Sequence, residues 1–182
     1  MEEERKKEIK ISVKDWIKIN TVIFGAILTV FALIWQAKPD NGIIMVSFLL
    51  LISFPFFINS INANARLNKE IDSENVSKNY VKRLELFAEL TFGGGFTLVI
   101  CALTVLGYEY LKDYTNRDFI AFMFPIIFLS VVWSILIGYT IIDNTDRPFQ
   151  FKKFTKRFIW ILIEMLFLFL IILDYIGIYL IQ

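Results

Sequence analysis

Five stretches of this chain are each about twenty apolar residues long, and nothing else in it limits the possible folds so strongly. They run from about Ile17 to Ala37, Ile43 to Ile61, Ala88 to Leu111, Asp118 to Ile142 and Phe158 to Ile181. A bilayer core of about 30 Å is spanned by roughly twenty residues of α-helix, and a helix satisfies its own backbone where lipid offers no partner. A soluble domain carries roughly 45–50% apolar and about 25% charged residues; here 57% are hydrophobic and 20% charged. The expected fold is therefore all-α: a polytopic membrane helix bundle with five transmembrane helices, one integral-membrane domain over residues 1–182.

Lysine and arginine counts between the segments agree with five crossings. Six lie in the N-terminal arm, up to the start of the first segment (Arg5, Lys6, Lys7, Lys10, Lys14, Lys18), and one follows the segment (Lys38). The second connection has five (Arg66, Lys69, Lys78, Lys82, Arg83), the third two (Lys112, Arg117), the fourth five (Arg147, Lys152, Lys153, Lys156, Arg157), and none follows the last segment. The series alternates, with 16 cations on one side and 3 on the other. Because cytoplasmic loops keep Lys and Arg, the expectation is an N-terminus inside, a C-terminus outside, and multi-pass residence in the cell membrane. The first segment is too long for a cleavable signal, and Ala37-Lys38-Pro39 is no cleavage site.

Local signals suggest boundaries. Ser12 and Asp15 form an S-x-x-D capping pattern with Ile11 placed to staple onto Trp16, so the first helix is expected to start there. Thr115 and Asp118 repeat the pattern before the fourth segment, flanked by Tyr114 and Phe119. Asp146 and Pro148 suit a helix start ahead of the fifth. Trp16, Trp35, Tyr108, Tyr110, Tyr114, Tyr139 and Tyr175 lie toward segment ends, as interfacial anchors do.

Outside the membrane the chain offers a basic arm (residues 1–16), a helical connection (62–87) and a basic connection (143–157), all expected in the cytoplasm. None alone is long enough to bury a core. Each contains cations interleaved with apolar residues, such as Tyr80-Val81-Lys82-Arg83-Leu84, suited to an anionic lipid surface, where each cation contributes about 1 kcal/mol. Similarity between residues 25–33 and 95–103 hints at duplication of a two-helix hairpin in parallel orientation.

Helices in lipid associate through small residues. Gly93, Thr97, Cys101 and Thr104 share one face of the third helix, and Ser130, Ser134 and Gly138 one face of the fourth. These faces are expected to pack on each other or on a neighbouring subunit. The Gly93-Gly94-Gly95 run lacks the spacing of a phosphate loop and reads as a place for close approach or bending. Pro55 and Pro125 lie inside the second and fourth spans, where each removes a backbone donor.

Glu164 and Asp174 are the most telling positions. A carboxylate at mid-bilayer costs about 2.5–3.5 kcal/mol on insertion scales, so each must face protein or water, or stay protonated. Ten residues apart, they lie about 15 Å apart along one helix. With Asn59 near the inner end of the second helix they form a candidate intramembrane polar or ion site; interhelical hydrogen bonding to Ser130, Ser134, Thr140 or Asn59 is the structural alternative. Glu109, nearer the outer interface, is expected to be solvated.

Chemistry is sparse otherwise. The chain has no histidine and one cysteine, Cys101, which removes the commonest general base and metal ligand. No nucleophile elbow, phosphate loop or metal-ligand spacing occurs, so no catalytic residue, cofactor or metal site is expected and the chain reads as a non-enzyme. A net charge of +1 gives no field to recruit nucleic acid. The expected partners are the lipid bilayer and either a second copy of the chain, as a homo-oligomer, or a partner membrane protein. The first functional expectation is an assembly or accessory subunit. Its rivals are an ion channel or proton-linked transporter subunit using Glu164 and Asp174, and a membrane-perturbing effector switched at its cytoplasmic face.

Overall fold

The computed structural model describes residues 2–37, 39–71, 77–115, 117–145 and 151–178. Five α-helices follow one another: α1 (Glu2–Ile34), α2 (Asn41–Glu70), α3 (Lys78–Thr115), α4 (Asp118–Thr145) and α5 (Phe151–Tyr175). No strand occurs among the described residues. All five contain a stretch long and apolar enough to cross a membrane, and the protein is a polytopic membrane helix bundle. Its longest helix, α3 with 38 residues, measures about 57 Å at 1.5 Å per residue, well beyond a bilayer core of about 30 Å.

Two helix limits differ from the expected ones. The first helix begins at Glu2 instead of at the Ser12 cap. Its opening residues are good helix formers with Glu four places ahead of Lys (Glu2 and Lys6, Glu3 and Lys7), a spacing that favours helix. Ser12 and Asp15 thus sit mid-helix, where Asp15 lies 3.8 Å from Lys18 in an exposed pair. The last helix stops at Tyr175, short of Ile181. Gly177 adopts φ +76°, and its neighbours complete a Schellman motif: Ile178 N–H donates to the Leu173 carbonyl at 3.0 Å, and Gly177 N–H to that of Asp174 at 2.9 Å. Asp174 therefore occupies the final turn of its helix.

Other ends are locally capped. Asp40 caps α2, its Oδ1 accepting the Ile43 N–H at 2.6 Å. Tyr114 stacks on Tyr110 at 5.8 Å, and the carbonyl of Arg117 accepts the first N–H groups of α4. The Asp146 and Pro148 signal lies outside the described residues. Both α2 and α4 continue as helix through Pro55 and Pro125.

The chain forms two compact units, one of residues 1–37 and 50–99, the other of residues 38–49 and 100–182. In the first, aromatic side chains interlock: Phe24 and Phe31 of α1 meet Phe54 of α2 edge-on. Phe92 of α3 receives Trp16 at 5.0 Å and Phe57 at 6.0 Å. The glycine run stays helical, and a Cβ on Gly95 would lie 3.0 Å from the Phe57 ring, so its role is close approach. A polar node joins the same three helices. Asn20 Nδ2 donates to Ser60 Oγ at 3.4 Å, and Ser60 Oγ donates to the Ala88 carbonyl at 3.0 Å.

The same unit holds a core that no single connection could bury. Val13 of α1 meets Leu67 and Ile71 at the end of α2, with Ile17, Val81 and Leu84 packed against them. Each contributing segment is short, but three helix ends together enclose apolar side chains as a small soluble bundle would.

In the second unit, α4 and α5 run antiparallel. Phe122 stacks on Tyr175 at 4.4 Å, and Trp133 meets Glu164, so eleven residues forward on one helix match eleven back on the other. A Cβ on Gly107 would overlap the Phe124 ring, which marks a close approach of α3 and α4. Large apolar side chains point outward elsewhere, Ile127 of α4 and Leu166 of α5 among them, as a surface in lipid requires.

Gly107→Ala should destabilise the protein by about 1–3 kcal/mol, the range for overpacking. Gly25→Ala, where nothing lies within 4 Å of the new methyl, should be neutral or slightly stabilising. Thermal unfolding in mild detergent compares the two.

Candidate intramembrane polar site

The buried acids of the second unit lie on α3 and α5. On α5, Glu164, Ile171 and Asp174 are seven and three residues apart, one helical face, and all three are buried. On α3, Cys101, Thr104 and Tyr108 recur at spacings of three and four, are all buried, and continue to Lys112.

Asp174 is the best-held acid. Tyr108 donates its hydroxyl to Asp174 Oδ2 at 2.8 Å, and Lys112 Nζ lies 3.0 Å from the same oxygen. The Lys112 ammonium also sits 5.4 Å from the Tyr108 ring centre, a cation–π distance. The Asp174 side chain is fully buried, while that of Lys112 keeps 17% exposure. A charge-assisted pair with a second donor offsets a desolvation cost that would otherwise reach several kcal/mol per ion. The arrangement is an interhelical clasp between α3 and α5.

Glu164 is held differently. Its Oε2 accepts the indole N–H of Trp133 at 2.7 Å, a donor from α4 that carries no charge. Cys101 of α3 lies within its electrostatic reach. The α5 carboxyl thus meets an indole of α4 and lies near a thiol of α3. The anticipated partners were serines and threonines, but Ser134 and Thr140 donate to carbonyls of their own helix, at 2.7 Å each.

Asn59, the third anticipated site residue, is exposed, as is Asn62, whereas the neighbouring Ser60 and Asn64 are buried in the first unit. Of the packing stripe on α3, Thr97, Cys101 and Thr104 are buried and Gly93 is partly so. Ser130 and Ser134 are exposed, and Gly138 has nothing within 4 Å of where a Cβ would stand. Within this unit, α3 meets α4 at Gly107 and Phe124 instead.

Three positions are corrected. Tyr108, expected as an interfacial anchor, is fully buried, and Glu109, expected to be solvated, is only 5% exposed. Lys112, counted as a loop charge, is the ion-pair partner of Asp174. The spacing Cys101, Thr104, Tyr108, Lys112 carried this signal, since it puts the tyrosine and lysine on the face that already held the small-residue stripe. Trp133 carried none.

No group of three or more His, Cys, Asp or Glu among the described residues is placed to hold a metal ion. The chain matches no protein-family model, no curated protein and no solved structure.

Removing Lys112 takes the ammonium away from a buried carboxylate. Lys112→Met should cost roughly 2–4 kcal/mol, below the upper end for breaking a buried pair because the lysine retains some exposure. Lys112→Met with Asp174→Leu should recover most of that loss. Unfolding of the single and double variants in detergent measures the coupling, and equal stabilities would contradict the clasp.

Proposed function

We propose that this multi-pass membrane protein is a non-enzymatic assembly or accessory subunit whose helices associate with further copies of itself or with a partner membrane protein. The observation that carries this reading is the outward face of α4. Ser130 and Ser134 are exposed there, and a Cβ on Gly138 would meet nothing within 4 Å. Small residues on a lipid-facing helix let another backbone come close. The Ser134 hydroxyl is satisfied by the Ser130 carbonyl, so the contact offered is close packing and not a polar demand. The clasp on Asp174 supports the same reading, since an acid tied to an ammonium is suited to holding helices together.

The alternation of basic connections supports an orientation with the N-terminus in the cytoplasm and the C-terminus across the membrane. The cell membrane is the compartment this reading takes.

Glu164 favours a second reading, passage of protons or cations. It is a carboxyl in a membrane-spanning helix, 1% exposed, that accepts the Trp133 indole N–H. Intramembrane ionisable groups of this kind serve ion pathways. Five helices make a thin wall, so such a pathway would form between subunits.

The readings separate in two measurements. Native mass measurement in detergent should give an oligomer, reduced toward monomer by Ser130→Leu with Ser134→Leu; a strict monomer contradicts assembly with itself. In proteoliposomes the assembly reading expects no proton or cation flux from either the native protein or Glu164→Gln. A native flux that Glu164→Gln abolishes, with assembly intact, would establish the second reading in its place.

A further inference from the structure

Among the described residues, the start of α2 and the end of α3 bring together more negative than positive charge. Glu109 lies against the first turn of α2: a Cβ on Gly42 would stand 2.5 Å from its Cδ and 2.9 Å from its Oε2. That turn is already capped by Asp40. The Glu109 side chain is 5% exposed, and its Oε1 is fully buried with no hydrogen-bond donor. Among the described residues, the charged groups that act on it are Asp40 at the start of α2, Lys112 and Asp113 on α3, and Asp174 on α5. Asp118 of α4 acts on the adjoining Tyr108. Asp113 and Asp118 are exposed, while Asp40, Asp174 and the Lys112 ammonium all act on Glu109. Lys112 places that ammonium 3.0 Å from Asp174. The start of α2 contributes at most about half a positive charge, so Glu109 lacks a full counter-charge, and a carboxylate buried without one is strongly unfavourable.

We propose that Glu109 is a binding site for one monovalent positive charge, an alkali cation or a proton, taken up at Oε1 between the start of α2 and the end of α3. Occupancy relieves the excess negative charge beside the Lys112–Asp174 pair and holds the first turn of α2 against α3. A divalent ion calls for several carboxylates converging on one point, and no group of three acids among the described residues does so. The site is separate from Glu164 and holds whether or not the protein passes ions.

The test is thermal unfolding of the full chain in detergent, with sodium, potassium or choline chloride at equal ionic strength and at several pH values. Anything that binds only the folded form stabilises it by mass action. An alkali occupant should raise the native midpoint by about 5 °C over choline, the size expected for near-saturating ligand. A proton occupant should leave the three salts alike and raise the midpoint on acidification. In either case Glu109→Gln should remove that dependence, because a neutral amide needs no counter-charge. Gly42→Ala, whose methyl displaces the carboxyl, should weaken the same dependence and serves if the glutamine variant does not fold. A native protein indifferent to both salt and pH, or a Glu109→Gln protein that keeps the native dependence, overturns the proposal.

Discussion

Lipid offers nothing to a polar group, so every donor, acceptor and charge placed within it must be answered from inside the chain. That constraint explains why the backbone is helical through each span and why hydroxyls fold back onto carbonyls of their own helix. Thr104 onto Ile100, Ser134 onto Ser130 and Thr140 onto Leu136 are instances. It also explains why the acids sit against other helices and not against lipid.

The acids are answered in different ways. Asp174 receives an ammonium and a phenol, Glu164 an indole, and Glu109 the first turn of α2. The first is a structural solution, since charge meets charge and ties two helices. The others set a carboxyl against an indole N–H and against the start of a helix, each from a neighbouring helix. The acids thus belong to the packing of the second unit. The first unit, whose polar node is the neutral pair Asn20 and Ser60, contrasts with it.

The five spans were legible because hydrophobic length is a local property that tertiary contacts rarely override. Helix ends were less so. The Ser12 to Asp15 pattern is a sound capping signal, but the charged helix formers ahead of it carry α1 back to Glu2. Gly177 stops α5 within an apolar run that by length alone would continue. Partner choice was hardest to read. That Glu164 and Asp174 would be buried against neighbouring helices follows from the cost of charge in lipid, but that Trp133 and Lys112 would meet them depends on helix rotation, which apolar spans encode weakly. The core of Val13, Leu67 and Ile71 was hidden for a related reason: its residues come from segments that look too short one at a time.

The depth and orientation assigned to the acids rest on an odd number of crossings. Reporters joined ahead of Met1 and after Gln182, each active on only one side of a membrane, test this directly. The account predicts that they report from opposite sides, with the N-terminal one in the cytoplasm. Both reporting from the same side would mean that one of the five helices does not cross, and would contradict it.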